Sequence, residues 1–296
     1  MKNVVFVVTI ILIIVYLTFL YNKLNIPLFI SHNNKLIDVN HYENVIYNSC
    51  VLNTKDVDTV DFIGHDHVMK ELDIIRKAMK DPSKDLELPN TILLHGPPGT
   101  GKTTVAKQMS KSLNIDNMVL LCITMSNIEN KYYGESLKLL NAVFSLSNKL
   151  ENCILFFDEI DGFMTERSSL DQSHTSTMKT TLLMCIDNII GKNNIFLIAA
   201  TNRPKDLDTA FLRRMELHME LDKPTIQDKL KVGKKYLSEI TEEVVLEMFD
   251  TWTLHDMNKF FRFVERRKWI DDTNIHNTKL KEYYQIYKDH YLLNKI

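Results

Sequence analysis

The sequence predicts an α/β fold in which a parallel sheet is flanked by helices and is followed by a smaller helical domain. Short apolar segments typical of buried strands alternate with amphipathic segments typical of helices, and such alternation indicates parallel strands joined by crossover helices. The predicted strands are 91–95, 118–123, 153–157 and 195–200, and the helices between them are 102–113, 135–150 and 175–187. After Pro224 only helical patterns remain, which predicts a separate helical domain.

The apolar run at 4–21 predicts a membrane anchor at the beginning of the chain. It carries no charge and is just long enough to cross the hydrocarbon core of a bilayer as a helix. A cleaved signal peptide is the alternative, but the run is long, rich in β-branched residues and lacks a small-residue cleavage site. The predicted domains are an anchor at 1–22, a linker at 23–58, a large α/β domain at 59–222 and a small helical domain with a C-terminal helix at 223–296.

The charge balance and the missing motifs disfavour several classes of function. The formal net charge of the 296 residues is −2, so nothing in the charge balance favours a nucleic-acid partner. No H-E-x-x-H segment is present, which disfavours a zinc protease. Four widely spaced cysteines match neither a redox motif nor a metal site, and we expect them to be reduced packing residues of a cytosol-facing protein. They are Cys50, Cys122, Cys153 and Cys185.

A glycine-rich loop at 96–103, GPPGTGKT, fits the phosphate-binding pattern G-x-x-x-x-G-K-[ST] between a predicted strand and a predicted helix. Glycines let backbone N–H groups turn inward around a phosphate chain, and the helix that follows adds the positive end of its dipole. A plain glycine turn is the alternative, which the acidic residues described next disfavour. We expect Lys102 to reach the terminal phosphates of ATP and Thr103 to bind Mg²⁺. The expected nucleotide contacts from this loop are Gly96, Pro97, Pro98, Gly99, Thr100, Gly101, Lys102, Thr103 and Thr104.

Two acids end the predicted strand at 153–157. A buried parallel strand delivers its last residues to the crevice where ligands of open α/β sheets bind. There Asp158 is expected to hold Mg²⁺ with Thr103, and Glu159 is expected to polarise a water for attack on the γ-phosphate. Acids after a strand are also common in solvated loops, so the prediction depends on the phosphate loop.

Three further polar residues are candidates for the site and have ordinary alternatives. Asn202 comes after the strand at 195–200 and could position the attacking water, although asparagine before a turn is often only a cap. Arg213 and Arg214 follow an apolar step in LRRM. They could stabilise transition-state charge in a neighbouring subunit's site, or they could be solvated charges at the end of a surface helix.

Taken together, the segments GPPGTGKT, FFDEID, ATNRP and LRRM, in this order, resemble the AAA family of ring ATPases over residues 60–269. The resemblance implies a homo-hexameric ring that binds ATP and Mg²⁺ between subunits. It implies that Asn202 is a sensor of the nucleotide, that Arg213 and Arg214 reach the next subunit, and that Ile63 and Gly64 lie against the adenine.

The segment KYYGES predicts a substrate-binding loop by the same resemblance. Two tyrosines before a glycine are compatible with an ordinary turn, whereas in AAA translocases an aromatic–glycine loop at this place lines the central pore and grips an unfolded polypeptide. Aromatic stacking and apolar contact tolerate many client sequences. The expected residues of this loop are Lys131, Tyr132, Tyr133 and Gly134, and a second pore loop is expected more weakly at 167–174.

Within the family, the chain resembles the meiotic-type clade and most of all the membrane-anchored translocases of the mitochondrial outer membrane and peroxisome. That resemblance implies mislocalised tail-anchored membrane proteins as clients and an ATPase domain that faces the cytosol. Microtubule severing, assembly of a membrane complex, and a nucleotide-dependent scaffold without turnover remain alternatives. One departure stands out: the glycines of the turn that opens a helix of the small domain in the family are absent from 251–256, TWTLHD. The contact on the adenine side is therefore expected to differ.

Overall fold

The computed structural model describes residues 28–32, 35–52, 63–79, 88–112, 118–128, 133–164, 172–271 and 277–291. The strands are β1 Leu28–His32, β2 Lys35–Val39, β3 Val51–Leu52, β4 Thr91–His95, β5 Met118–Ile123, β6 Asn152–Phe157, β7 Ile195–Thr201 and β8 Leu217–Glu220. The helices of the first part are α1 His41–Cys50, α2 Asp66–Met79, α3 Lys102–Ser112, α4 Met125–Ile128, α5 Tyr133–Lys149, α6 Asp161–Met164, α7 Gln172–Asp187 and α8 Thr209–Leu212. Four longer helices follow: α9 Ile226–Tyr236, α10 Glu242–Phe249, α11 Leu254–Asp271 and α12 Asn277–Tyr291.

One six-stranded sheet organises the large domain, in the order β3-β5-β6-β7-β4-β8. In this sheet β5, β6, β7, β4 and β8 pair in parallel with their neighbours, whereas β3 pairs antiparallel with β5. Alternate residues of the strands enter two separate apolar clusters, one shared with α5 and α7 and the other with α2 and α3. Both faces of the sheet are therefore buried by helices, as expected for parallel strands. The predicted α/β fold with helices flanking a parallel sheet is confirmed.

The sheet order brings the predicted site segments to one edge. β4 lies between β7 and β8, although β5 follows it in the chain. Ligands of such sheets bind outside the carboxyl ends of the strands, at the point where the strand order reverses. The glycine-rich loop leaves the carboxyl end of β4, the acidic turn leaves that of β6, and Asn202 follows β7.

Residues 28–32 and 35–52 are folded, although the sequence predicts a linker at 23–58. β1 and β2 form a hairpin, α1 packs on α5, and β3 extends the sheet beside β5. The Glu43 side chain is buried and accepts hydrogen bonds from Ser145 at 2.5 Å and Lys149 at 2.7 Å. Ile30, Val39, Ile46 and Cys50 also enter the apolar core, but they are spread over two short strands and one helix and give no sustained period in the sequence. The predicted domain boundaries stay a prediction.

The small domain is built from α9 to α12 around an aromatic core. Phe249, Phe260 and Phe261 are fully buried, and Tyr236 stacks on Phe261 with ring centroids 5.0 Å apart. Aromatic side chains bury large apolar areas, so a few of them suffice for a domain of this size. The helical patterns predicted after Pro224 correspond to these helices.

None of the helices in the described ranges is both long enough and apolar enough to cross a bilayer. The predicted anchor at 4–21 lies outside those ranges and stays a prediction.

Candidate nucleotide site

The loop between β4 and α3 has a positive φ at Gly96, Gly99 and Gly101, and at the first two a β-carbon would also meet a close neighbour. Gly96 has φ +148°, and a β-carbon there would lie 2.1 Å from the Leu221 carbonyl oxygen. Gly99 has φ +78°, and a β-carbon there would lie 2.8 Å from the Thr253 methyl group. Glycine tolerates such conformations and such close backbone approach. The loop is therefore fixed between the end of β8 and the small domain, in a shape that can surround phosphate groups with backbone N–H groups.

Lys102, the first residue of α3, is buried against this loop. Its exposed fraction is 7%, and Nζ donates to the carbonyl oxygens of Gly96 and Pro97, both at 2.8 Å. Burial lowers the pKa of Lys102, and the carboxylates of Asp158 and Asp161 oppose that lowering. A buried ammonium at the first turn of a helix, held close to the loop, is a suitable partner for phosphate oxygens.

Thr103 and Asp158 come together, as the sequence predicts. Thr103 Oγ1 donates to Asp158 Oδ2 at 2.9 Å, although the two residues lie on α3 and directly after β6. A hydroxyl and a carboxylate beside a phosphate-binding loop are the hard oxygen ligands that Mg²⁺ prefers. The donor set therefore fits Mg²⁺ bound with a nucleotide, and these two residues would hold it.

Glu159 adopts an unusual backbone conformation in the turn after β6. Its φ is +52°, a value that residues with a side chain rarely adopt, and its side chain is exposed at the sheet edge. Two hydrogen bonds hold the turn: Glu159 N donates to Asp158 Oδ1 at 3.0 Å, and Ile160 N donates to the Ala200 carbonyl of β7 at 2.9 Å. The Glu159 side chain thus points away from the core, and the turn that carries it is hydrogen-bonded to β7, the strand that leads to Asn202.

Asn202 is exposed directly after β7, on the edge that also carries Glu159. The residues around it are held by a contact that the sequence did not indicate: Thr201 Oγ1 donates to Asp161 Oδ1 at 2.7 Å and accepts from Arg203 N at 2.9 Å. Thr201 and Asp161 therefore join the turn after β6 to the turn after β7. In the sequence, only their positions next to the predicted site residues could have indicated that they take part in the site.

The two arginines after α8 have different surroundings. Arg214 donates to both carboxylate oxygens of Asp187, from Nε at 2.7 Å and from Nη2 at 2.9 Å. Arg213 is exposed, and no residue of the described ranges pairs with its guanidinium. Asp187, at the end of α7, was not among the predicted site residues because no motif marks it.

The adenine side predicted at Ile63 and Gly64 lies against the small domain. Ile63 packs on the aromatic core of that domain. Gly64 has φ +91°, and a β-carbon there would lie 3.3 Å from the Asp228 carboxyl carbon of α9. The segment thus lies between the phosphate loop and the small domain, where a base could be enclosed.

The turn at 251–256 lacks the glycines of the family, and one of its threonines instead caps a helix and faces the phosphate loop. Thr253 caps α11: its Oγ1 accepts from Asp256 N at 3.1 Å and donates to Asp256 Oδ2 at 2.9 Å. Its methyl group is the one that faces Gly99. A threonine cap therefore connects the small domain with the phosphate loop, while Trp252 packs into the aromatic core.

Most of the predicted pore-loop residues lie outside the described ranges. These are Lys131 and Tyr132, together with 167–171 of the second loop. Tyr133 is the first residue of α5 and Gly134 is exposed in its first turn. Residues 172–174 begin α7, so each predicted pore loop leads directly into a helix that packs on the sheet.

The chain is similar in sequence to known proteins. Residues 92–223 match the family described as ATPase family associated with various cellular activities (AAA). The chain is similar to an outer mitochondrial transmembrane helix translocase of Danio rerio, with 36% identity over 196 residues, 64% of this chain and 53% of that protein. The protein of the same name from Homo sapiens is 36% identical over 185 residues, 60% of this chain and 50% of that protein. The chain thus spans about half the length of the curated relatives it matches.

The fold has a close counterpart among solved structures. The crystal structure of the FIGL-1 AAA domain in complex with ADP superposes with a TM-score of 0.64 at 22% identity, over 83% of this chain and 89% of that one. This likeness supports the fold. An AAA domain implies nucleotide binding, typically with Mg²⁺, and ATP hydrolysis. Residues 92–223 therefore form an ATPase domain of the AAA family.

Proposed function

We propose that this chain is a subunit of a membrane-anchored, homo-hexameric ring ATPase that uses ATP hydrolysis to draw protein substrates through a central pore. The proposed clients are polypeptides, in particular mislocalised tail-anchored membrane proteins. The proposed location is the mitochondrial outer membrane or the peroxisome, with the ATPase domain in the cytosol. Support comes from relatives named outer mitochondrial transmembrane helix translocase and from the apolar run predicted as a single-pass anchor.

The position of the arginines carries the proposal of a ring. The Arg214 carbonyl accepts a hydrogen bond from Thr91 Oγ1 at 2.7 Å, so the arginine pair lies at the amino end of β4. The phosphate loop leaves the opposite end of the same strand, about 16 Å away at 3.3 Å per residue. Arg213 and Arg214 are therefore badly placed for the phosphates of their own subunit. A neighbouring subunit in a closed ring could receive them, because heterologous contacts that close generate rings.

The proposed chemistry follows from the groups at the sheet edge. Lys102 and the backbone of the phosphate loop hold the terminal phosphates of ATP, and Glu159 polarises a water for in-line attack while Asn202 positions it. An arginine of the adjacent subunit stabilises the charge that develops on the transferred phosphoryl group. Thr103 and Asp158 would hold Mg²⁺, which would neutralise part of the negative charge of the phosphates.

The proposed path from hydrolysis to the client passes through α5. In this proposal Lys131, Tyr132, Tyr133 and Gly134 grip the polypeptide at the start of that helix. The other end of α5 carries Lys149, which pairs with the buried Glu43 of α1. Movement of α5 would therefore be passed to the N-terminal segment that leads to the predicted anchor.

Extraction from vesicles tests this function. The full chain would be reconstituted with a tail-anchored protein in lipid vesicles, and ATP-dependent release of that protein would be measured. Glu159→Gln is expected to keep nucleotide binding and to abolish release, whereas Glu243→Gln, an exposed acid at the start of α10, should release like the original protein. Full release by Glu159→Gln would refute the proposal. Co-sedimentation with microtubules, paired with loss of release, would instead favour the severing alternative.

A further inference from the structure

A histidine joins the predicted base side of the site to the phosphate loop. His65 Nε2 lies 3.2 Å from the carbonyl oxygen of Thr100. Because a carbonyl oxygen can only accept, Nε2 carries the hydrogen and donates it. Thr100 is only 7% exposed, and its hydroxyl donates to the Pro97 carbonyl at 3.0 Å. The imidazole is therefore bound to the buried part of the loop and not to a freely moving tip.

The backbone of His65 adopts an uncommon conformation. Its φ is +55°, directly after Gly64 at +91°, so two consecutive residues have a positive φ. Few residues with a β-carbon adopt that region, although histidine does so more often than most. The His65 carbonyl accepts the first hydrogen bond of α2, from Met69 N at 3.2 Å. The side chain and the main chain of His65 are thus fixed to different elements, the phosphate loop and α2.

Among the residues that the structure describes, three titratable groups act on the imidazole beside its contact with Thr100. They are His67 on α2, with ring centroids 6.2 Å apart, Asp222 after β8 and Asp228 on α9. Burial lowers the pKa of His65, while the hydrogen bond to Thr100 and the two aspartates oppose that effect. The ring is therefore neutral at neutral pH, with Nε2–H as the donor. His67 makes its own contact elsewhere, from Nε2 to the Glu220 carbonyl at 3.1 Å.

We propose that His65 is a positioning residue that fixes the base-binding segment Ile63–Gly64 relative to the phosphate loop. A ligand with both a base and phosphates contacts the base-binding segment and the phosphate loop at the same time. Its binding is stronger when the distance between these two parts is already fixed before it binds. A ligand that contains only phosphates does not depend on it. This inference rests on the nucleotide site assumed in the proposed function and adds to it how the two halves of that site are kept in register.

Direct binding measurements on the full chain test the inference, with ADP and inorganic tripolyphosphate as the two probes. His65→Ala and His65→Gly both remove the ring, and the glycine also removes the cost of the positive φ. Each should raise the Kd for ADP about three- to tenfold, the range expected when one hydrogen bond is lost. The Kd for tripolyphosphate should not change. His65→Asn, which tolerates a positive φ and can donate an N–H, should recover part of the ADP affinity.

His67→Ala is the matched control, because it removes a neighbouring imidazole that does not touch the phosphate loop, and it should leave both affinities unchanged. Melting without nucleotide shows whether each variant is folded, and His65→Gly decides the question if His65→Ala is not. ADP affinity equal to that of the original protein in His65→Gly would overturn the inference. An equal loss for ADP and tripolyphosphate would overturn it as well, since His65 would then only support the loop. Failure of the original protein to bind ADP would instead remove the nucleotide site itself.

Discussion

Arg214 and Asp187 form a bidentate ion pair, which gives two adjacent arginines different surroundings. The two carboxylate oxygens lie 2.7 and 2.9 Å from Nε and Nη2, and Nη1 donates to the Ala210 carbonyl at 2.8 Å. The hydrogen bond from Arg214 holds the pKa of Asp187 below its ordinary value. Arg213, the next residue back, has no such partner among the described residues. Arg214 therefore orients the segment, and in the proposed ring Arg213 is the arginine available to a neighbour.

We predict that Asp187→Asn lowers kcat for ATP about tenfold while ADP affinity is unchanged, because a misplaced catalytic group costs rate and not binding in its own subunit. Steady-state hydrolysis and ADP titration measure the two quantities. Asp73→Asn is the control, because Asp73 pairs with Lys77 on the surface of α2, far along the chain from the arginines. An unchanged kcat in Asp187→Asn would show that this ion pair does not position the arginines.

Gly96→Ala is predicted to abolish nucleotide binding. The new β-carbon would lie 2.1 Å from the Leu221 carbonyl oxygen, a backbone atom that cannot move without shifting the end of β8. Gly134→Ala is the matched control, since nothing lies within 4 Å of a β-carbon at that position. ADP titration should show no binding by the first variant and normal binding by the second. Normal binding by Gly96→Ala would contradict the loop geometry described above.

The sheet and the phosphate loop were predictable because each follows from local patterns. Strands buried on both faces are continuous apolar runs, and G-x-x-x-x-G-K-[ST] fixes Lys102 and Thr103 by their spacing alone. The pairing of Thr103 with Asp158 was predictable as well, since both had to meet at the carboxyl edge of one sheet.

The contacts that hold the site in place were not predictable. Asp187, Asp161 and His65 each act on a residue distant in sequence, through one side-chain contact that leaves no periodic trace. β8 is only four residues long and alternates weakly, so its pattern is too short to indicate a strand. The folding of 28–32 and 35–52 was missed because the apolar residues of these segments are divided between two short strands and one helix, so that none of the three shows a sustained period.

Glu43 gives a prediction for the dependence of stability on pH. Burial raises the pKa of this carboxyl, but hydrogen bonds from Lys149, Ser145 and Asn40 N outweigh that effect and lower it below its ordinary value. A carboxyl with a lowered pKa in the folded state stabilises the fold above its unfolded pKa, and that stabilisation is lost as the pH falls through the folded value.

Glu43→Gln is therefore predicted to cost about 1–3 kcal/mol at neutral pH, the cost of losing hydrogen bonds to a charged group. The difference in unfolding free energy from the original protein should shrink below about pH 4, where the native carboxyl also becomes protonated. Urea unfolding at several pH values measures it, with the exposed Glu247→Gln as the control. A difference that stays constant down to low pH would show that Glu43 contributes by packing and not by charge.

In the proposed ring each site is completed by the neighbouring subunit, and mixing two inactive variants tests this most directly. Lys102→Ala lacks the proposed phosphate-binding lysine and Arg213→Ala lacks the arginine that no described residue pairs with, so each alone should hydrolyse almost no ATP. In randomly mixed rings at equal ratio, about a quarter of the sites combine an intact lysine with an intact arginine from the next subunit. The mixture should then hydrolyse ATP well above the sum of the separate variants. Activity equal to that sum would place both residues in the same subunit's site and contradict the account.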